Sequence, residues 1–137
     1  MKVYMDSSVL VARIFREPAA IRRWRWEHIV TSELTRVETF RTIDRFRTTR
    51  AVPDSELSRI AVLVRDTLAA IEIIPLGAAV LQRASDPFPT VIGTLDAIHL
   101  STALVWTREH AEALTFLTHD RQLASAARAC GLDAGPA

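Results

Sequence analysis

The sequence predicts an α/β fold, a three-layer sandwich in which a parallel sheet of about five short strands lies between two layers of helices. Short apolar segments alternate with longer helical patterns along the chain, an order typical of a parallel sheet. Acidic residues follow the ends of two apolar segments, at Asp6 and Asp120. No linker, internal repeat or low-complexity tract interrupts the 137 residues, which predicts a single domain over 1–137.

The N-terminal part of the chain predicts a strand that leads directly into a helix. Lys2–Asp6 has an apolar centre, and Ser7–Phe15 follows with a helical pattern. Pro18 ends this helix at a position that suits the opening of the next one, Ala19–Trp26.

A second strand, His28–Thr31, precedes the longest predicted helices. Ser32 suits the N-cap of a helix that runs to about Thr49. Pro53–Asp54 then forms a turn and opens a helix over about Glu56–Ala70.

The C-terminal half repeats the alternation of strand and helix. The predicted elements are a strand over Ile71–Leu76, a short helix over Ala78–Ala84, a loop over Asp86–Pro89, a helix over Thr94–Glu109, a strand over Leu114–Thr118 and a helix over Arg121–Ala129. Gly131 suits the end of the last helix. The tail Leu132–Ala137 could add a fifth strand or fray.

The composition is that of a globular protein. Hydrophobic residues make up 49% and charged residues 24% of the chain. No apolar run approaches the roughly 20 residues of a membrane helix. Asp6 interrupts the only N-terminal apolar stretch, so we expect no secretory signal. Cys130 is the only cysteine, which excludes an intrachain disulfide. This favours a reducing cytoplasm and does not exclude secretion.

Positive charge is concentrated in the first 50 residues. This segment holds Lys2 and ten arginines against six acidic residues, whereas the remainder holds six arginines against ten acidic residues. A basic N-terminal third could steer a polyanion such as RNA toward the protein. The two parts could equally interleave in the fold, in which case the asymmetry has no functional meaning.

Four acidic residues lie at strand ends or one element beyond them: Asp6, Glu38, Asp96 and Asp120. Functional groups in an open parallel sheet gather at the carboxyl ends of the strands, so these side chains could meet at one edge. Each also has a purely structural explanation. Asp6 and Asp120 could cap helices, Asp96 could favour a helix first turn, and Glu38 could pair with Arg41. Their joint placement is what favours a common site.

Helix geometry distinguishes Glu38 from Glu33. At about 100° per residue, Glu38 shares one strip with Leu34, Arg41 and Arg45, whereas Glu33 lies roughly 140° away from Glu38. The two glutamates therefore cannot substitute for each other. Arg41 and Arg45 could reach substrate phosphates, or they could form ion pairs with acids of the site or of a partner.

Four segments carry a resemblance to a known family: YMDSSVLV, TSELTRVETFR, TLDAIHLSTAL and THDRQLASAARACGL. In this order and spacing they resemble the PIN-domain nucleases, and more narrowly the VapC toxins of bacterial toxin–antitoxin pairs. The resemblance covers nearly the whole chain. It implies a parallel sheet with helices on both faces and an edge of acids that binds Mg²⁺ or Mn²⁺.

By position, the resemblance implies that these acids are Asp6, Glu38, Asp96 and Asp120, with Ser8 and Thr118 as supporting polar residues. It also implies hydrolysis of RNA, with tRNA or ribosomal RNA as the target, a homodimer and a VapB-like antitoxin partner. His119 occupies a position that the family often fills with an aromatic residue, so we assign it no catalytic role.

Other polar and aromatic residues have plainer explanations. His99 lies one helical turn after Asp96 and could touch the site, although we expect a buried, hydrogen-bonded histidine. Trp24 and Trp26 could line a groove for an antitoxin helix, stack on RNA bases or pack in the core. The four histidines show no zinc-binding spacing, and no phosphate-binding glycine motif is present.

Three other functions compete with a toxin. A PIN-domain nuclease without an antitoxin would share the same acids. A phosphatase of the haloacid dehalogenase type expects an aspartate two residues after Asp6, where this chain has Ser8. A non-catalytic RNA- or protein-binding domain would not need all four acids.

Overall fold

Five short strands form one parallel sheet in the computed structural model, which describes residues 1–16, 25–50 and 52–136. Numbered in chain order, the strands are β1 (Lys2–Met5), β2 (His28–Ser32), β3 (Glu72–Ile74), β4 (Thr115–Leu117) and β5 (Asp133–Gly135). The spatial order is β3-β2-β1-β4-β5, and every neighbouring pair is parallel. The prediction of a parallel sheet of about five strands is confirmed.

Six helices connect the strands in the described residues. They are α1 (Ser7–Arg16), α2 (Glu33–Thr49), α3 (Asp54–Ala69), α4 (Ala78–Ser85), α5 (Thr94–His110) and α6 (Arg121–Ala129). The ends of the predicted strands and helices differ from the observed ones by at most two residues. Ser32 caps α2 as predicted, because its Oγ accepts a hydrogen bond from the Leu34 N–H over 3.1 Å.

The helix predicted over Ala19–Trp26 lies largely outside the described residues, which resume at Arg25. Arg25 and Trp26 belong to an irregular segment before β2. Trp26 is 6% exposed and packs in the hydrophobic core, so core packing accounts for this tryptophan. Trp24 lies outside the described residues.

The sheet separates two hydrophobic cores. Val3 and Met5 of β1 pack with α1, α2 and α3, whereas Tyr4 between them packs with α5 and α6. This alternation follows from the two-residue period of a strand, and a strand buried on both faces is typical of a parallel sheet. The three-layer arrangement predicted from the sequence is therefore confirmed. None of the helices in the described ranges is long and apolar enough to cross a membrane.

The strand order creates a switch point between β1 and β4. From β1 the chain proceeds outward to β2 and β3 on one side, and β4 and β5 add on the other side. Parallel sheets bind ligands at such a point, beyond the carboxyl ends of the strands. Asp6 follows β1 directly, and Thr118 follows β4, so the topology brings two predicted site residues to this crevice.

Candidate active site

Asp6 is a buried carboxylate surrounded by hydrogen-bond donors. It is 4% exposed, and its Oδ1 accepts from the Ser8 hydroxyl over 2.5 Å and from the Val9 N–H over 3.3 Å. Its Oδ2 accepts from the Thr118 hydroxyl over 2.5 Å. These donors offset the cost of burying the charge. The contact with Val9 also confirms that Asp6 caps the first turn of α1.

The segment after β4 is tied to Asp6 through the same two hydroxyl groups. Thr118 Oγ1 accepts from the Asp120 N–H over 3.0 Å, and Ser8 Oγ accepts from the His119 N–H over 3.0 Å. Asp120 then caps α6, since its Oδ1 accepts from the Leu123 N–H over 2.9 Å. The predicted cap is confirmed. The Asp120 side chain is thereby held beside the end of β1.

Asp96 lies in the first turn of α5, as predicted, and its pKa is raised. Partial burial is the largest cause, because it disfavours the charged form. The negative charges of three other carboxylates add to the shift, and these are Asp120, Asp6 and Glu38. His99 acts in the opposite direction. The four predicted acids are thus close enough to influence the ionisation of one of them.

Glu38 reaches the same edge from α2, on the other side of the sheet from α5. Its Oε1 lies 2.5 Å from His99 Nε2 of α5. Glu33 points elsewhere, and its Oε2 accepts from the Leu76 N–H over 3.4 Å. The two glutamates therefore face different directions, as helix geometry predicted. The alternative explanation for Glu38, an ion pair with Arg41, does not apply, because Glu38 pairs with His99.

Arg41 pairs with Asp44 instead, at 3.2 Å. Both Glu38 and Asp44 lie three residues from Arg41, so helix geometry allows either pair. Glu38 turns inward to His99, and this leaves Asp44 as the partner. Arg45 donates to the Thr42 hydroxyl over 3.4 Å. Both arginines are exposed, and the role predicted for them in phosphate binding stays a prediction.

His99 is buried and hydrogen-bonded, as expected from the sequence. It is 2% exposed, and its Nδ1 lies 2.7 Å from the Tyr4 hydroxyl. Tyr4 is fully buried and stacks on Phe116 with ring centroids 4.9 Å apart. Burial, together with the charge of Asp6, raises the pKa of the Tyr4 phenol well above its ordinary value. Tyr4, His99 and Glu38 therefore form a chain from the core to the edge of the sheet.

A family model of the PIN domain matches residues 3–129, which is nearly the whole chain. The four acids lie within this range. The chain belongs to the PIN domain family. Ribonuclease VapC47 of Mycobacterium tuberculosis is 32% identical over 141 aligned positions, covering 94% of this chain and 92% of that protein. This relationship also places the chain among VapC proteins and confirms the resemblance seen in the sequence.

Solved structures show the same fold. One is a crystal structure of VapBC2 from Rickettsia felis bound to a promoter DNA fragment. The alignment covers 100% of this chain and 99% of the matched chain, with a TM-score of 0.69 and 14% identity. A toxin–antitoxin complex from Klebsiella pneumoniae covers 93% of both chains, with a TM-score of 0.60 and 16% identity. The α/β architecture of this PIN domain is therefore shared with both structures at low sequence identity.

The oxygen donors of this PIN domain suit a hard cation such as Mg²⁺. The charges of the neighbouring carboxylates contribute to the raised pKa of Asp96, and a divalent cation would offset this repulsion. All four predicted ligands offer oxygen atoms, which suit Mg²⁺. Within residues 1–16, 25–50 and 52–136, no three His, Cys, Asp or Glu side chains form a cage for an ion. Mg²⁺ does not need one, because it keeps several waters and binds one or two carboxylates directly.

Sequence reasoning did not identify Tyr4 as the partner of His99. Its pattern was that of an apolar strand residue, and only the alternation along β1 hints that it faces α5. The contact between His99 and Glu38 was also missed, because it joins two helices that are 61 positions apart in the chain. Tyr4 contacts His99, and His99 in turn contacts the Glu38 carboxylate.

Proposed function

We propose that this chain is a Mg²⁺-dependent endoribonuclease toxin that hydrolyses phosphodiester bonds in RNA and is neutralised by a VapB-like antitoxin. The observation that carries the proposal is the network at the ends of β1 and β4, in which the Thr118 hydroxyl contacts both the Asp6 carboxylate and the Asp120 N–H. The raised pKa of Asp96, to which the charges of Asp120, Asp6 and Glu38 contribute, supports a common site for the four acids. Mn²⁺ would suit the same oxygen donors. The VapC relative is named a ribonuclease, which supports RNA as the substrate.

The chemistry would depend on how the chain arranges its carboxylates. A bound divalent cation supplies Lewis acidity, which lowers the pKa of water and offsets charge on the phosphate under attack. Asp6, Asp96 and Asp120 would be the main ligands, directly or through water. Glu38 would bind a second cation or orient the attacking water. Ser8 and Thr118 hold the two oxygens of Asp6, so they would fix its orientation.

The substrate is proposed to be a structured RNA, tRNA or ribosomal RNA. Arg41 and Arg45 follow Glu38 on α2 and expose their guanidinium groups, which suit contacts with phosphates along the strand. The excess of arginine in the first 50 residues would favour the approach of a polyanion. Binding would then weaken as salt concentration rises.

The proposed partners follow from the relatives. One structural neighbour is a toxin–antitoxin complex, which supports an antitoxin as the inhibitor of this chain. We also propose a homodimer and a cytoplasmic site of action, where RNA targets are accessible. A PIN-domain nuclease without an antitoxin would have the same site. Growth arrest on expression, relieved by co-expression of the neighbouring small gene, would distinguish the toxin from this alternative.

RNA cleavage tests the proposed activity. The purified chain is incubated with total RNA in Mg²⁺, and new 5′ ends are mapped by sequencing. We expect discrete new ends that are absent in EDTA and absent with Asp96→Asn or Asp6→Ala. Retained cleavage by either variant, with an unchanged fold, would contradict the assignment. Wild-type protein that cleaves no RNA in Mg²⁺ or Mn²⁺ would favour a binding domain.

A further inference from the structure

Three side chains link the core of the protein to the edge of the sheet. The Tyr4 hydroxyl lies 2.7 Å from His99 Nδ1, and His99 Nε2 lies 2.5 Å from Glu38 Oε1. Exposure rises along the chain, from 0% for Tyr4 and 3% for the His99 side chain to 26% for the Glu38 side chain. The inner two residues are thus enclosed, and only the carboxylate reaches solvent.

The direction of one hydrogen bond follows from the donors and acceptors. A carboxylate oxygen only accepts, so His99 Nε2 must carry a proton and donate it to Glu38. In the neutral imidazole this leaves Nδ1 as an acceptor for the phenol proton of Tyr4. The tyrosine therefore selects the tautomer that donates to the glutamate, as partners of active-site histidines commonly do.

Packing restricts the rotamers of the two inner residues. The Tyr4 ring stacks on Phe116, with centroids 4.9 Å apart. The His99 ring meets Tyr4 edge-on at 6.1 Å. Neither ring can turn without displacing core side chains. Glu38 is therefore held by a donor whose own position is fixed, which is what a precise site requires.

Only one oxygen of Glu38 is engaged in this way. In the described part of the chain, Oε1 accepts from His99 and no donor contacts Oε2. Anchoring through Oε1 therefore leaves Oε2 available to a cation or to a coordinated water. A glutamate side chain has three rotatable bonds, so an unanchored one would spread over many positions.

We propose that His99 is a positioning residue that holds the Glu38 carboxylate for a divalent cation or its coordinated water, and that Tyr4 in turn fixes His99. This inference deepens the proposed nuclease function and rests on it for the meaning of the cation site. It assigns the histidine no contact with the substrate and no transfer of a proton.

Mn²⁺ affinity, measured by electron paramagnetic resonance of the free ion, tests the proposal on the whole chain. His99→Leu removes the donor, and we expect it to weaken binding by about 10- to 100-fold, as loss of a partner of a metal ligand typically does. His99→Gln places an amide donor near the position of Nε2 and should recover much of this loss. Tyr4→Phe keeps the ring and should cause a smaller loss than His99→Leu.

A double-variant cycle separates positioning from a general effect on the fold. If His99 acts through Glu38, His99→Leu should add no loss to that of Glu38→Gln, and alone it should lose no more than Glu38→Gln does. Additive losses would show that His99 acts independently of Glu38 and would overturn the proposal. Unchanged Mn²⁺ affinity in both His99→Leu and Tyr4→Phe would overturn it as well.

A second histidine–glutamate pair, at the opposite edge of the sheet, serves as a control. His28 pairs with Glu72 at the beginning of β2 and β3, far from the carboxyl ends of the strands. His28→Leu breaks a more exposed histidine–glutamate pair, with a His28 side chain that is 39% exposed, and should leave Mn²⁺ affinity unchanged. Equal losses in His28→Leu and His99→Leu would indicate a general structural effect. If His99→Leu does not fold, Tyr4→Phe takes its place in the cycle with Glu38→Gln. Additive losses, or no loss in Tyr4→Phe alone, would overturn the proposal.

The proposal and the proposed function fail in different ways. A wild-type chain that binds Mn²⁺ but cleaves no RNA contradicts the nuclease function, while the cycle still decides the role of His99. A wild-type chain that binds no Mn²⁺ overturns the proposal itself. A chain that binds Mn²⁺ and cleaves RNA, with a non-additive cycle, supports both.

Discussion

Thr118 donates its side-chain hydroxyl to Asp6 Oδ2 over 2.5 Å, joining the ends of β4 and β1 across 112 positions of sequence. The same hydroxyl oxygen accepts from the Asp120 N–H over 3.0 Å. One threonine therefore orients a buried carboxylate and the backbone that carries a second one. This contact links the carboxyl ends of β1 and β4 at the switch point of the sheet.

Removing this hydroxyl should damage both stability and cation binding. Thr118→Val keeps the shape of the side chain but takes a donor from a buried carboxylate, which we expect to cost about 1–3 kcal/mol of unfolding free energy. Thr118→Ser keeps the hydroxyl and is the matched control. Urea unfolding and Mn²⁺ affinity of the two variants provide the measurement. Equal behaviour of valine and serine at this position would contradict a role for the hydroxyl.

The cap and the charge of Asp120 can be separated by choice of substitution. Asp120→Asn keeps a good N-cap for α6, so we expect near wild-type stability together with a large loss of RNA cleavage. Asp120→Ala removes both the N-cap and the carboxylate, and we expect it to lower the free energy of unfolding by a further amount of about 1 kcal/mol. The measurements are urea unfolding and cleavage in Mg²⁺. If Asp120→Asn cleaves RNA like the wild type, the carboxylate has only a capping role.

The raised pKa of Asp96 predicts a dependence of stability on pH. Because the folded state binds this proton more tightly than the unfolded state, the charged carboxylate destabilises the metal-free fold. Wild type should lose stability relative to Asp96→Asn as pH rises from the ordinary carboxyl pKa through the raised one. Below that window the difference in stability should no longer depend on pH.

Melting temperatures in EDTA across this pH range provide the check for Asp96. We expect Asp96→Asn to be more stable than wild type at neutral pH in EDTA, and Mg²⁺ to narrow or reverse the difference. Lower stability of the variant at neutral pH in EDTA would show that the carboxylate is not strained by its neighbours.

Glu33 and Glu38 provide a matched pair on one helix. Glu38→Gln should lower the rate of RNA cleavage by at least about tenfold, because its carboxylate reaches the edge of the sheet. Glu33→Gln should leave the rate unchanged, since Glu33 faces the Leu76 backbone. Cleavage rates at saturating Mg²⁺ give the comparison. Equal losses would mean that overall charge, rather than position, matters.

Much of the fold could be predicted from local patterns. Alternation of apolar segments with helical ones predicted the parallel sheet, and Ser32 and Asp120 marked helix starts through their capping hydroxyl and carboxylate. Strand ends were predicted less accurately. For example, β3 was predicted over Ile71–Leu76 but pairs only over Glu72–Ile74. Pro75 has no N–H to continue the ladder.

The candidate site was predicted in composition but not in its contacts. Positions at strand ends indicated that four acids could meet at one edge, and the family resemblance assigned Asp6, Glu38, Asp96 and Asp120 to the site. Their role as cation ligands stays a prediction. The link from His99 to Glu38 depends on two helices from opposite layers meeting beyond the sheet, which no local pattern encodes. The choice of Asp44 over Glu38 as the partner of Arg41 depends on the same contact.

Calorimetric titration of Mg²⁺ and Mn²⁺ into the wild-type chain and into Asp96→Asn tests the cation site directly. We expect saturable binding to the wild type, weakened by at least about tenfold in Asp96→Asn, while circular dichroism of the two proteins remains the same. Absence of binding to the folded wild type, or equal affinity of the two proteins, would contradict a cation site formed by these acids.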